Sequence, residues 1–129
     1  MKVLAILEQA HIRKRFVEIV ENFEECDLTF CNPFTTKPAQ VPKIVKEGGY
    51  DFIIYDFGRL LNASFDALKE LRRQNPKTPI LVFTFYTESS TSIKDAQCSK
   101  FYMTWFCMDH IDDSKVIKEA VKESRRLVA

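Results

Sequence analysis

A short apolar run, Phe52-Ile53-Ile54-Tyr55, stops at a carboxylate, Asp56, and a glycine, Gly58, follows two residues later. Other apolar runs meet polar groups in the same way. Glu8 follows the run from Val3 to Leu7, Thr84 closes the run from Ile80, and Thr104 stands in the run that opens at Phe101. A carboxylate or hydroxyl at the end of a buried strand either caps the turn that follows or is presented by the fold. Brought to one edge, two carboxylates and two hydroxyls form a polar site. Scattered, they are turn caps, so the elements that carry them decide between the two.

Other chemistries are poorly supported. The four cysteines, Cys26, Cys31, Cys98 and Cys107, form no C-x-x-C pair, and only His11 and His110 could add imidazole. That is a poor zinc set, and free thiols in a reducing compartment are the expectation. Neither histidine falls near a plausible nucleophile, so no catalytic triad is visible. With three glycines the chain has no G-x-G-x-x-G and no P-loop. A nucleotide- or flavin-binding protein using the same strand ends is therefore the lower-ranked alternative. The net charge of +1 gives no overall pull toward nucleic acid or an anionic membrane. Arg13-Lys14-Arg15 stands beside Glu18 and Glu21 at helical spacing, as on a solvated face. No apolar run approaches a membrane span or a signal-peptide core, so a soluble, cytoplasmic protein is expected.

The 129 residues, 46% of them hydrophobic, suit one domain over 1–129 with a real core. Eleven phenylalanines lead us to expect that core to be aromatic-rich. Strands are predicted at Val3 to Leu7, Leu28 to Cys31, Phe52 to Asp56, Ile80 to Thr84 and Phe101 to about Trp105. A helix from about Ala10 to Phe23 carries Ile12, Phe16, Ile19, Val20 and Phe23 on one face. A proline-rich loop, "NPFTTKPAQVP", leads into a short helix ending at Gly48-Gly49. Ser64 is the expected N-cap of a helix that stops before Asn75-Pro76. "YTESSTSIKDAQ" is polar and weakly periodic, with room for one short helix. Asp113 or Ser114 caps a last helix. Strands alternating with helices predict a parallel sheet covered on both faces by right-handed crossovers. In such a sheet chemistry sits at the carboxyl ends of the strands, which predicts that Glu8, Asp56, Thr84 and Thr104 share one edge.

Three segments carry a resemblance to a known family: "KVLAILEQAHIRKRF", "YDFIIYDF" and "LRRQNPKTPILVFT". The last, a helix, then N-P-x-T-P, then an apolar strand ending in threonine, is the most specific. The chain resembles a response-regulator receiver domain of two-component signalling over nearly its whole length. The resemblance implies a single doubly wound (βα)5 flavodoxin-like parallel sheet with strand order 2-1-3-4-5. It implies that Asp56 is the phosphoacceptor, Thr84 the switch hydroxyl and Phe101 the switch aromatic of the fifth strand. It also implies that Glu8 and Asp56 hold Mg²⁺. A histidine kinase or a downstream signalling protein would be the partner. The surface of the fourth helix, fifth strand and fifth helix would serve that contact or a homodimer.

Departures from the family pattern are as specific as the matches. Leu7 replaces one acid of the metal pair, Thr104 stands where the lysine of the fifth strand is expected, Trp105 replaces the proline after it, and a bulky Phe85 follows Thr84. An aspartyl phosphate forms when a carboxylate attacks a phosphoryl donor, so negative charge meets negative charge. Mg²⁺ and a lysine normally neutralise it, and one fixed donor in such a site is worth about 3 kcal/mol. These losses imply an atypical receiver, or pseudo-receiver; the alternative is a functional receiver phosphorylated on Asp56. A pseudo-receiver acts through protein contact rather than catalysis, with at most autophosphorylation on Asp56. The bland readings stand beside this one. Glu8 also suits the first turn of a helix, Thr84 is a β-branched strand residue, and packing explains Phe101, Tyr102 and Trp105.

Overall fold

The computed structural model describes residues 2–6, 27–31, 40–57, 61–84, 100–107 and 113–129, with the backbone alone described at Pro42, Asp56, Phe57, Phe83, Thr84, 61–66 and 105–107. Its elements run β1 (Lys2–Ile6), β2 (Asp27–Cys31), α1 (Val41–Gly48), β3 (Phe52–Phe57), α2 (Leu61–Gln74), β4 (Ile80–Thr84), β5 (Thr104–Cys107) and α3 (Ser114–Leu127). The strands form one parallel sheet of order β2-β1-β3-β4-β5. The expected helix over 10–23 and the polar segment 86–97 lie outside the described residues.

Strand residues alternate between two buried faces. Leu4, Ile6, Ile53, Ile80 and Val82 join Val41 and Val45 of α1 and Leu68 and Leu71 of α2 in one cluster. The intervening residues Val3, Ala5, Phe52, Ile54 and Leu81 are also buried, and α3 lies along β4 and β5. Both faces being covered explains why these strands read as unbroken apolar runs. β2 is an edge strand, and Asp27, Thr29 and Phe30 are exposed along it. Among the described side chains the core is aliphatic; of the phenylalanines, Phe52 is buried, Phe101 half-buried and Phe30 exposed.

The helices end for local reasons. Gly49 closes α1 in the left-handed conformation, at φ 62, where a side chain would be strained. α2 begins at Leu61 rather than after Ser64, so Ser64 is not its N-cap. No helix breaker stands between Leu61 and Ser64, so nothing there prevents the earlier start. The Asp113 carboxylate accepts from the backbone N–H of Lys115 at 3.1 Å and of Val116 at 3.3 Å, capping α3. Ile117, Ala120 and Ser124 form its buried stripe, and the Ser124 hydroxyl donates to the Ala120 carbonyl at 2.8 Å.

β5 is the largest correction. It begins at Thr104, so Phe101 and Tyr102 form a turn ahead of it instead of its first residues. Tyr102 has φ 58, which no strand accommodates. The carbonyls of Phe101 and Tyr102 are taken by Arg72, at 2.8 and 3.0 Å.

Candidate functional site

The sheet register aligns the strand ends. Cys31, Ile6, Tyr55, Val82 and Trp105 form one row across all five strands. The next row toward the carboxyl edge is Asp56, Phe83 and Phe106, and the one after it is Phe57, Thr84 and Cys107. Asp56 and Thr84 therefore stand on adjacent central strands, one level apart. With strands about 4.8 Å apart and a rise of about 3.3 Å per residue, their Cα atoms are roughly 6 Å apart. Two of the four expected residues thus share the carboxyl edge. Glu8 and Leu7 lie outside the described residues, two and one residues past the end of β1.

Thr104 does not belong to that edge. It pairs with Leu81 and opens β5, while Cys107 holds the level of Thr84. The expectation that Thr104 shares the edge with Asp56 and Thr84 fails because the strand starts later than the apolar run does. Cys107 is the last residue of β5. Phe101 is likewise displaced toward the amino edge and lies outside β5. Its position no longer matches an aromatic of the fifth strand beside Thr84. Among the described residues no three His, Cys, Asp or Glu side chains cluster as metal ligands, and no helix is long and apolar enough to cross a membrane.

The amino edge carries the most developed polar arrangement among the described residues. Arg72 is 7% exposed, and its guanidinium spends four donors on backbone carbonyls. Nε donates to Phe101 O at 2.8 Å and Nη2 to Tyr102 O at 3.0 Å. Nη1 donates to Asn75 O at 3.0 Å and Thr78 O at 2.6 Å. One side chain thus ties the α2–β4 turn to the turn before β5. Burial pulls the guanidinium down to about 10, below the ordinary arginine range, since desolvation disfavours the charged form. Asn75 is buried beside it, its amide donating to Leu71 O at 3.0 Å. Lys69 Nζ lies 5.7 Å from the centroid of the Phe101 ring. Sequence reasoning missed this cluster, yet its signal was present. Arg72 and Asn75 follow Leu68 and Leu71 by four residues each, which puts them on the buried stripe of α2.

On the solvent side of α2, Arg73 makes a bidentate pair with Glu70, Nε to Oε2 at 3.0 Å, and Gln74 donates to Glu70 Oε1 at 2.8 Å. These bonds, Arg73's first, hold the Glu70 carboxyl down at about 2.

No protein-family model matches the chain, and no curated protein matches its sequence. Solved structures do resemble it. A pilus assembly-related protein from Burkholderia pseudomallei has a TM-score of 0.77 at 17% identity, covering 100% of this chain and 92% of its own. The response regulator domain of CheB from Thermotoga maritima has a TM-score of 0.72 at 15% identity, covering 98% and 96%. The chemotaxis protein CheY4 of Vibrio cholerae has a TM-score of 0.66 at 19% identity, covering 95% and 97%. The likeness is one of fold, and it agrees with the strand order: the chain has the doubly wound five-stranded fold of response-regulator receiver domains.

Proposed function

We propose that the chain is an atypical receiver domain of two-component signalling that acts through protein contact, with an impaired Mg²⁺ and phosphoryl site. One observation supports the reading: an aspartate and a threonine lie one level apart on adjacent strands at the carboxyl edge of a 2-1-3-4-5 sheet. Asp56 is the candidate phosphoacceptor and Thr84 the switch hydroxyl. Glu8 and Asp56 are the candidate Mg²⁺ carboxylates, and two carboxylates plus phosphoryl oxygens are a workable donor set for that ion. Bound there, Mg²⁺ would offset charge on the transferring phosphoryl group.

The impairment is argued from residue types. Leu7 supplies an apolar branch where an acid would serve, and no cation follows Cys107 at the end of β5. A ligand shifts a two-state equilibrium only by its differential affinity for the two states, so a weakened phosphoryl site has little leverage over a distant surface. The partner face is proposed around β5 and α3, with the short helix expected from the sequence over 86–97, outside the described residues, in contact with a kinase, a downstream signalling protein or a second copy without need of a phosphodonor.

Beryllofluoride with Mg²⁺, a phosphoryl mimic, tests this reading by nuclear magnetic resonance. The proposal expects no saturable shifts around Asp56 and Thr84. Saturable shifts that vanish in Asp56→Asn would identify an ordinary, phosphorylatable receiver instead.

A further inference from the structure

The edge of the sheet opposite Asp56 carries a second feature that the receiver reading does not use. Tyr102 is 58% exposed and is held at φ 58. A bulky residue in the left-handed region is strained and persists only where its surroundings over-determine it. Here they do, since the Tyr102 and Phe101 carbonyls are both bonded to buried Arg72. Strain of this kind concentrates at binding sites, and the side chain it displays is an aromatic ring facing water.

The two turns that Arg72 joins each carry an exposed lysine. Lys100 precedes Phe101 in the same turn, and Lys77 lies between Asn75 and Thr78, whose carbonyls bond to the same guanidinium. Both lysines are exposed, and among the described residues neither side chain makes a hydrogen bond or ion pair. Lys69 lies over the Phe101 ring. The nearby carboxylate of Glu70 is engaged by Arg73 and Gln74. An exposed aromatic anchor flanked by unpaired lysines is complementary to an acidic segment with an apolar residue.

We infer that this amino edge docks an acidic, apolar-containing segment of a partner protein, with the Tyr102 ring as anchor and Lys77 and Lys100 as its charge partners. The surface lies at the far end of the strands from Asp56, so the inference stands apart from the phosphoryl site.

The test uses the ¹⁵N-labelled chain titrated with a blocked synthetic peptide of glutamates interleaved with phenylalanine. A lysine-for-glutamate version of the peptide and an oligouridylate serve as comparisons. The acidic peptide is expected to give saturable shifts at the Lys77, Lys100 and Tyr102 amides, while the basic version gives none. The double variant Lys77→Glu, Lys100→Glu should weaken binding roughly tenfold, the weight of two exposed charge pairs reversed. Tyr102→Ala should weaken it about thirtyfold, as loss of an aromatic anchor does. The lysines are exposed, so the double variant keeps the fold, and spectral dispersion verifies this. Three results overturn the inference: no saturable shift, shifts spread equally over the lysines of α1 and α3, or tighter binding of the oligouridylate at the same amides.

Discussion

Replacing Arg72 by methionine removes the guanidinium while keeping most of the stem that fills its place. Four hydrogen bonds from a charged donor to Phe101, Tyr102, Asn75 and Thr78 are lost. At about 1.5 kcal/mol each, the low end for charged donors, they contribute about 6 kcal/mol. Against this stands the cost of burying the cation. The guanidinium's fall to about 10, at about 1.36 kcal/mol per pH unit, corresponds to about 3 kcal/mol. The difference leaves Arg72→Met less stable by about 3 kcal/mol. Urea unfolding followed by far-UV circular dichroism measures it. With a slope of about 1.5 kcal/mol per molar, the midpoint should fall by about 2 M at constant slope. Arg72→Lys should recover less than half of this, because an ammonium cannot reproduce the planar fork. The neighbouring Arg73→Met is the control, since its solvent-exposed pair with Glu70 contributes little. A loss at Arg72 below about 1 kcal/mol, or no larger than at Arg73, would refute the clamp.

Three further outcomes follow from the same structure. Glu70 has its folded-state value lowered from 4.5 to about 2, so its stabilising contribution is full above pH 4.5 and is lost as pH falls toward about 2. Glu70→Gln should flatten the stability-versus-pH curve across that window, and curves that coincide with the parent's would contradict the bond to Arg73. Asp113→Ala removes the cap of α3 and should cost about 1 kcal/mol in thermal or chemical unfolding, whereas Asp113→Asn should retain most of it. Gly49→Ala places a side chain at φ 62 and should cost about 1 kcal/mol although the space around it is open; a neutral result would mean the α1 cap is not left-handed in solution.

The strands were legible wherever both ends of an apolar run carried a stop. Pro79 and the polar stretch beyond Thr84 bound β4 at Ile80–Thr84, as the sequence reading had it. β2 and β3 differ from expectation by one residue each, Asp27 at one start and Phe57 at one end. β5 was misjudged because the run from Phe101 to Met108 has no internal stop. What breaks it is a bond from Arg72, twenty-nine residues earlier than Phe101, and such a long-range contact leaves no local mark. The misplacement of Thr104 and Phe101 follows from that single error. Asp56 and Thr84 were legible because the topological rule needs only strand order, and the order matched. The Tyr102 conformation was not legible, since nothing in "KFYMT" demands a left-handed residue.

On the proposed reading this receiver fold works without phosphoryl switching. Incubating the chain with acetyl phosphate and Mg²⁺, then measuring intact mass and sedimentation on the same sample, tests it most directly. The account predicts an unmodified chain whose association state is the same with and without donor. Stoichiometric addition of one phosphoryl group, absent in Asp56→Asn and accompanied by donor-dependent dimerisation, would contradict it.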